Sequence, residues 1–232
     1  KCGAAEGELL RARYPDILPG FYSDKRTWIS CLLDGELPEE VELSIQAAVL
    51  SPGVPTDIPL VNRMRDRGVQ ILGEIELGFL AEQGRVIAIT GTNGKTTTTT
   101  LTGEIMKAHF GKDKTFVVGN IGNPYTLEAD KTSKDSVTVG EISSFQLETI
   151  HTFHPVVSAI LNIAPDHLNR HHTMEAYVAA KEAVASQQTK ADICVLNYDN
   201  DYTRDFAGRC PATPVLFSSH HELENGYFLR GD

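Results

Sequence analysis

The chain has 232 residues, 41% of them hydrophobic and 22% charged, with a formal net charge of −10 at pH 7. That is room for one large domain or two small ones with a real core, in the composition of an ordinary globular protein. The acidic balance argues against a nucleic-acid backbone or an anionic membrane surface as the main partner, so an anionic ligand has to be held by local donors or metal ions.

Taken in chain order, Ala47-Ala48-Val49-Leu50 reads as a short buried strand running into Ser51-Pro52-Gly53-Val54-Pro55. Pro followed by Gly suits the two central positions of a type II turn. "PLVNRMRDRGVQIL" shows helical spacing through Leu60 and Met64, a stop at Gly68 and a strand over Val69–Leu72, together an αβ unit. Glu74–Gln83 reads as a helix, and its polar end at Gln83-Gly84 is the candidate boundary between a domain over 1–83 and one over 84–232. Strand, glycine turn and helix then repeat. Strands are predicted over Val86–Thr90, Thr115–Val118 (closed by Gly119-Asn120-Ile121-Gly122), Ser136–Gly140, Val156–Ile163 and Ile193–Asn197. Helices are predicted over Thr96–Phe110, from about Ser144, and over Met174–Gln187. This alternation predicts an α/β fold of parallel βαβ units, doubly wound, with ligands at the carboxyl ends of the strands.

Cys2, Cys31, Cys194 and Cys210 have no Cys-x-x-Cys spacing and suit reduced thiols in the cytosol. No apolar stretch has the length of a membrane span, and nothing at the start resembles a signal peptide. An opening Lys1 in place of Met reads as a fragment.

The chemistry gathers in four stretches. "VIAITGTNGKTTTTTL", Val86 to Leu101, misses the common phosphate-loop pattern because a glycine is required where Ile89 stands. Gly91-Thr92-Asn93-Gly94-Lys95-Thr96 nevertheless lies between a predicted strand and a predicted helix, where glycines let amides approach an anion and the helix start adds positive charge. There Lys95 would reach terminal phosphates and Thr96 Oγ would ligate Mg²⁺, with Thr97 also facing the loop. The plainer alternative is a glycine turn with a surface lysine. Thr98 to Thr100 are expected to pack and to bond back to the helix.

In "VTVGEISSFQLE", Glu141 falls just past a strand end, a natural second protein group for Mg²⁺. Ser143 and Gln146 have capping-box spacing, which by itself accounts for both. "ILNIAPDHLNRHH" places Asp166-His167 after another strand. A zinc cluster lacks a suitably spaced cysteine or acid, so His167 is expected to act alone, with His171 and His172 solvated. In "MEAYVAAKEAV", Met174, Tyr177, Ala180 and Val184 form one apolar stripe that contains Lys181, while Glu175 and Glu182 lie opposite. Lys181 either snorkels or turns inward, where desolvation lowers its pKa and makes it reactive.

Together these stretches resemble the Mur ligase family, which couples ATP cleavage to amide-bond formation in peptidoglycan synthesis. The short Gly-Thr-Asn-Gly-Lys-Thr loop is the family's own form and accounts for Ile89. "GNIG", "EISSFQLE" and "DHLNRH…AAK", with "LSPGVP" and "GEIEL" upstream, are most similar to the branch that adds D-glutamate to UDP-N-acetylmuramoyl-L-alanine. The resemblance runs from about Leu37 onward. Before that, "CGAAEGELL" alone suggests the remains of a first glycine loop and helix. The resemblance implies a P-loop ATPase-like central domain, truncated at its end, preceded by an incomplete Rossmann-like UDP-sugar-binding domain. It implies that Gly91, Thr92, Asn93, Gly94, Lys95, Thr96 and Thr97 hold ATP, and that Thr96 and Glu141 bind one Mg²⁺. His167 and Lys181 would serve a second Mg²⁺, with Lys181 as an N-carbamate; Lys95, His167 and Lys181 are the implied catalytic set. Ser51, Pro52, Gly53, Asn120, Ser143, Gln146 and His167 would bind the UDP-sugar substrate. It further implies a cytoplasmic monomer with no nucleic-acid or membrane partner. Asn169 stands where many relatives have aspartate, and the family's C-terminal, amino-acid-binding domain is not matched. Alternatives are a nucleotide- or UDP-sugar-binding module without turnover, a P-loop switch or kinase, and a relative such as folylpolyglutamate synthase.

Overall fold

The computed structural model describes residues 4–13, 17–19, 29–31 and 45–230. They fall into two compact units, 1–73 and 74–232.

In the first unit α1 (Ala4–Arg13) precedes β1 (Ile17–Pro19), which pairs antiparallel with β2 (Ile29–Cys31). The loop part of "CGAAEGELL", Cys2-Gly3, lies outside the described residues. β3 (Ala47–Leu50) pairs in parallel with β4 (Gln70–Gly73), joined through α2 (Pro59–Asp66) as expected of the αβ unit. Pro59 opens α2, where its missing N–H is not needed. Val61 and Met64 of α2 bury against Val69 and Ile71, with Ala48, Leu50, Ile58 and Leu60 packed around them. After β3, Val54 N donates to Ser51 O at 2.9 Å, closing a turn over Pro52-Gly53. Gly53 does not take a positive φ, so the expected type II turn is corrected. Pro52 presets φ for type I equally well, and nothing forces the glycine into its left-handed region.

The second unit opens on α3 (Glu74–Ala81) and continues β5 (Arg85–Thr90), α4 (Lys95–Phe110), β6 (Thr115–Gly119), α5 (Tyr125–Glu128), β7 (Val137–Glu141), α6 (Ser144–Leu147) and β8 (Val157–Ile160). Then follow α7 (Leu168–His171), α8 (Met174–Glu182), β9 (Ile193–Asn197), α9 (Asp201–Ala207), β10 (Thr213–Ser218) and β11 (Tyr227–Phe228). One seven-stranded sheet runs in the order β11-β10-β9-β8-β5-β7-β6, every pair parallel. Strand order reverses around β5, with β7 on one side and β8 on the other, so the crevice beyond its carboxyl end is where a ligand is expected in such a sheet.

The units divide at Gly73, not at Gln83. α3 belongs to the second unit because its acids, Glu74 half-buried and Glu76 buried, are acceptors there. Glu74 Oε1 takes the N–H and hydroxyl of Thr126 at 2.7 and 2.9 Å. Glu76, buried, takes the N–H groups of His151, Thr152 and Phe153 and the Thr152 hydroxyl. Just beyond the helix, Glu82 takes Tyr125 OH and Thr138 Oγ1 at 2.9 and 2.7 Å. Other bounds shift too. The strand expected over Val156–Ile163 stops at Ile160, and the helix expected to Gln187 ends at Glu182 with a 3₁₀ turn over Ala183–Ala185.

Candidate functional site

β5 delivers the chain into the glycine loop, and α4 starts at Lys95 with Gly94 (φ 83°) before it. Residues 161–164 leave the sheet to hold this loop from behind. Leu161 N donates to Thr90 O at 3.0 Å, Thr92 N to Asn162 O at 2.8 Å and Asn93 N to Asn162 Oδ1 at 2.9 Å, while Asn162 Nδ2 returns a bond to Asn93 O at 3.0 Å. Ala164 N donates to Thr92 Oγ1 at 3.0 Å. The amides of Thr92 and Asn93 are therefore spent on Asn162. The donors left for an anion are those of the first turn of α4, which have no intrahelical partner. Lys95 Nζ folds back onto Thr92 O at 2.9 Å. Thr96 and Thr97, in the first turn of α4, are exposed. Thr99 is buried and its hydroxyl has no partner among the described residues, so the expected back-bond is absent there.

Glu141 is the last residue of β7 rather than the first beyond it, opposite Ile89 on one side and Gly119 on the other. It is 1% exposed. Asn120 Nδ2 donates to its Oε1 at 2.8 Å and Asn120 N to its carbonyl, whereas Oε2 is buried without a partner among the described residues. Gly119 makes this approach possible. Its φ is 93°, and a Cβ there would stand 2.3 Å from Glu141 O. Ser143 and Gln146 form the capping box that their spacing predicts: Ser143 N donates to Gln146 Oε1 at 2.9 Å and Gln146 N to Ser143 Oγ at 3.3 Å.

Lys181 turns inward. At 2% exposure its Nζ donates to Gly91 O at 2.8 Å and lies 4.8 Å from the centre of the Tyr177 ring. Burial first, then the charge of Lys95, pushes its pKa down to about 7, against a smaller upward pull from Asp166. Tyr177 OH donates to Thr92 Oγ1 at 3.1 Å, whose own hydroxyl hydrogen goes to Ala164 O. Desolvation raises the Tyr177 pKa, keeping the phenol neutral. The far-side glutamate Glu182 pairs with Arg209 at 2.5 Å.

His167 is half-exposed, takes a left-handed backbone (φ 52°) and lies 3.5 Å from Asp166 Oδ2, with its ring 4.9 Å from Phe145. His172 is exposed as expected, but His171 is not solvated. Its ring is stacked on Phe145 and tilted against Tyr177, with Nε2 2.9 Å from Ser144 Oγ and Nδ1 3.5 Å from Glu148. Burial lowers its pKa, so it stands neutral. Phe145, 26 residues earlier, and Tyr177, in the next helix, cover a histidine that looks polar in "NRHH".

The second unit thus brings the loop, Glu141, Asn120 and Lys181 to the carboxyl ends of β5, β6 and β7. Ser51, Pro52 and Gly53 belong to the first unit, where Ser51 and Gly53 are exposed in the turn after β3. Sequence reasoning passed over Asn162 and over Tyr177 as a loop anchor, and took Asp166 only as the neighbour of His167. The strand expected to run to Ile163 took in Asn162, whereas the observed strand stops two residues before it.

These residues fit a nucleotide with a divalent cation. Glu141 Oε2, without a partner among the described residues, and the exposed Thr96 hydroxyl are hard oxygens of the kind Mg²⁺ takes, and the first-turn amides of α4 suit an anion. A lysine held near neutrality by burial has the free amine that carbamylation by CO₂ requires.

Comparison with known proteins agrees with the geometry. The family model described as the Mur ligase middle domain matches residues 89–227. A UDP-N-acetylmuramoylalanine–D-glutamate ligase of Lachnoclostridium phytofermentans is 57% identical over 196 residues, 84% of this chain and 43% of that protein. The ligase of the same name from Clostridioides difficile is 49% identical over 199 residues, 85% of this chain and 44% of that protein. The chain spans less than half the length of these curated relatives. Among solved structures, a UDP-N-acetylmuramoyl-L-alanyl-D-glutamate–2,6-diaminopimelate ligase superposes with a TM-score of 0.52 at 20% identity, covering 79% of this chain and 47% of that one. MurF from Acinetobacter baumannii does so with a TM-score of 0.51 at 20% identity, covering 82% and 42%. Those likenesses carry the fold, and the sequence matches carry the kinship: the chain belongs to the Mur ligase family.

Proposed function

We propose that this chain is the nucleotide-binding part, with a portion of the sugar-binding part, of a cytoplasmic, monomeric ligase that joins D-glutamate to UDP-N-acetylmuramoyl-L-alanine at the expense of ATP. The observation that carries the reading is Lys181, an inward lysine bonded to the phosphate loop and held near neutrality. The names of its relatives supply the substrates.

In this reading the first-turn amides of α4 and Lys95, released from Thr92 O, hold the triphosphate. Gly91 to Thr97 shape the cradle, and Asn162 keeps it rigid from behind. Thr96 with Glu141, and His167 with Lys181 as its carbamate, would hold Mg²⁺, which would neutralise charge on the transferring phosphoryl group. The substrate carboxylate attacks the γ-phosphorus and ADP leaves. The acyl phosphate is then attacked by the D-glutamate amine, giving an amide and phosphate, with the protein contributing position and electrostatics. Ser51, Pro52, Gly53 and Asn120 bind the UDP-sugar. Ser143 and Gln146 act indirectly, since their polar groups already satisfy each other in the cap.

The test is phosphate release by the protein that carries this chain. Release is expected only with ATP, UDP-N-acetylmuramoyl-L-alanine and D-glutamate together. Equal release with L-lysine or meso-diaminopimelate in place of D-glutamate would refute the assignment. The relatives are more than twice as long as the stretch they share with it, which favours a second reading for these 232 residues alone, nucleotide binding without turnover.

A further inference from the structure

Two oxygens of the second unit are buried without a partner among the described residues and stand on one helix–sheet layer: Oε2 of Glu141 and Oγ1 of Thr99. Thr99 and Gly103 are the two buried residues of α4. A Cβ at Gly103 would stand 2.5 Å from Val117 Cγ2, so this face of α4 sits directly on β6. Val117 is opposite Val139, and Gly119 is opposite Glu141. Because α4 links the parallel strands β5 and β6, it runs against them. One turn back from Gly103 to Thr99 is about 6 Å, the span of two strand residues at about 3.3 Å each. That step leads from the Val117–Val139 level to the Gly119–Glu141 level. Strand alternation gives Glu141 the face of Val139, which packs in the same cluster as Met106 of α4. Gly119 places no side chain beside Glu141. The third such oxygen among the described residues, the Thr90 hydroxyl, shares the other face of β5 with Val86 and Ala88.

We propose that Thr99 is a positioning residue for Glu141. Its hydroxyl donates to the carboxylate through one buried water, which satisfies both orphan oxygens. Asn120 then fixes Oε1 and Thr99 fixes Oε2, so the plane of the carboxylate is set before a divalent cation arrives. The inference rests on the proposed cation role of Glu141, and its test separates the two.

The 232-residue chain and its Thr99→Val, Thr99→Ser and Glu141→Gln variants would be compared in two measurements. Mn²⁺ binding in the presence of a non-hydrolysable ATP analogue is followed by electron paramagnetic resonance, and thermal unfolding is followed without metal. Thr99→Val is expected to weaken Mn²⁺ binding about tenfold, the lower end for residues that orient a metal ligand. It should also lower the melting temperature, because it strands Oε2. Thr99→Ser should restore both. Unchanged Mn²⁺ affinity with a raised melting temperature in Thr99→Val is the behaviour of a merely unsatisfied hydroxyl, and would overturn the proposal. Unchanged Mn²⁺ affinity in Glu141→Gln would instead overturn the cation role. The sign of the Thr99→Val melting shift would still decide whether Thr99 serves Glu141.

Discussion

Replacing Lys181 by Met should stabilise the isolated chain at neutral pH and destabilise it at high pH. The ammonium is buried on Gly91 O and its pKa stands at about 7, against 10.5 for an unperturbed lysine. Between those values the folded chain holds fewer protons than the unfolded one, so the wild type gains stability as pH rises through that window. At pH 7 the burial penalty integrates to about 4 kcal/mol, and at pH 10 it falls below about 1 kcal/mol. Met fills a similar volume but leaves the Gly91 carbonyl without its donor, at a cost of about 2 kcal/mol. The variant is therefore expected to be more stable by about 2 kcal/mol at pH 7 and less stable by about 1 kcal/mol at pH 10. Urea unfolding of both proteins at the two pH values, in buffer depleted of CO₂, measures the difference. Tyrosines and other common groups cancel in it. A variant already less stable at pH 7, or a difference that does not change with pH, would refute the account of Lys181 as a desolvated ammonium.

Gly119→Ala forces a positive φ on alanine and a Cβ to 2.3 Å from the Glu141 carbonyl, so a loss of at least about 3 kcal/mol is expected in urea unfolding; a loss under about 1 kcal/mol would show that the strand end yields easily. Glu76→Ala orphans three backbone N–H groups and a hydroxyl in the second unit. It should cost at least about 3 kcal/mol by the same measurement, and a near-neutral result would mean that water replaces the carboxylate. His171 has a pKa lowered chiefly by burial, so the unfolded chain protonates first as pH falls through the ordinary histidine range and stability is lost there. His171→Asn should flatten that acid slope between pH 7 and 5, and an unaltered slope would place the titration elsewhere.

Where local pattern and tertiary burial agree, the sequence was legible. The strands from Arg85 to Asn197 are apolar runs that end in glycine or polar turns, and Lys181 declared itself by falling on the apolar stripe of its helix. The cap at Ser143 was readable because its partner is three residues away. The rest depends on long-range partners. Glu76 looks like a surface acid until the N–H groups of His151 to Phe153, some 75 residues on, fold over it. That is why α3 reads as a linker-side helix and is not one. β10 is exposed at Thr213 and Pro214 and β11 has two residues, so neither presents a full apolar run. Leu161 to Ile163 continue the apolar run of the strand in sequence, yet the backbone there is needed by the glycine loop and leaves the sheet.

The loop and the two lysines also pose one electrostatic problem. Lys95 and Lys181 donate to the carbonyls of adjacent residues, Thr92 and Gly91, and the charge of Lys95 helps lower the pKa of Lys181. Without a ligand, the loop's own carbonyls thus occupy the donors that phosphate oxygens would otherwise take. A phosphate entering the cradle draws Lys95 outward and, as an anion, favours the protonated form of Lys181. Carbamylation does the reverse, turning Lys181 into an anion that the incoming phosphates repel. The two states of Lys181 therefore oppose each other, and a divalent cation held near Lys181 would relieve that opposition. That is the electrostatic case, in the proposed reading, for divalent ions at this mouth of the sheet, beside a Glu141 whose second oxygen has no protein partner among the described residues.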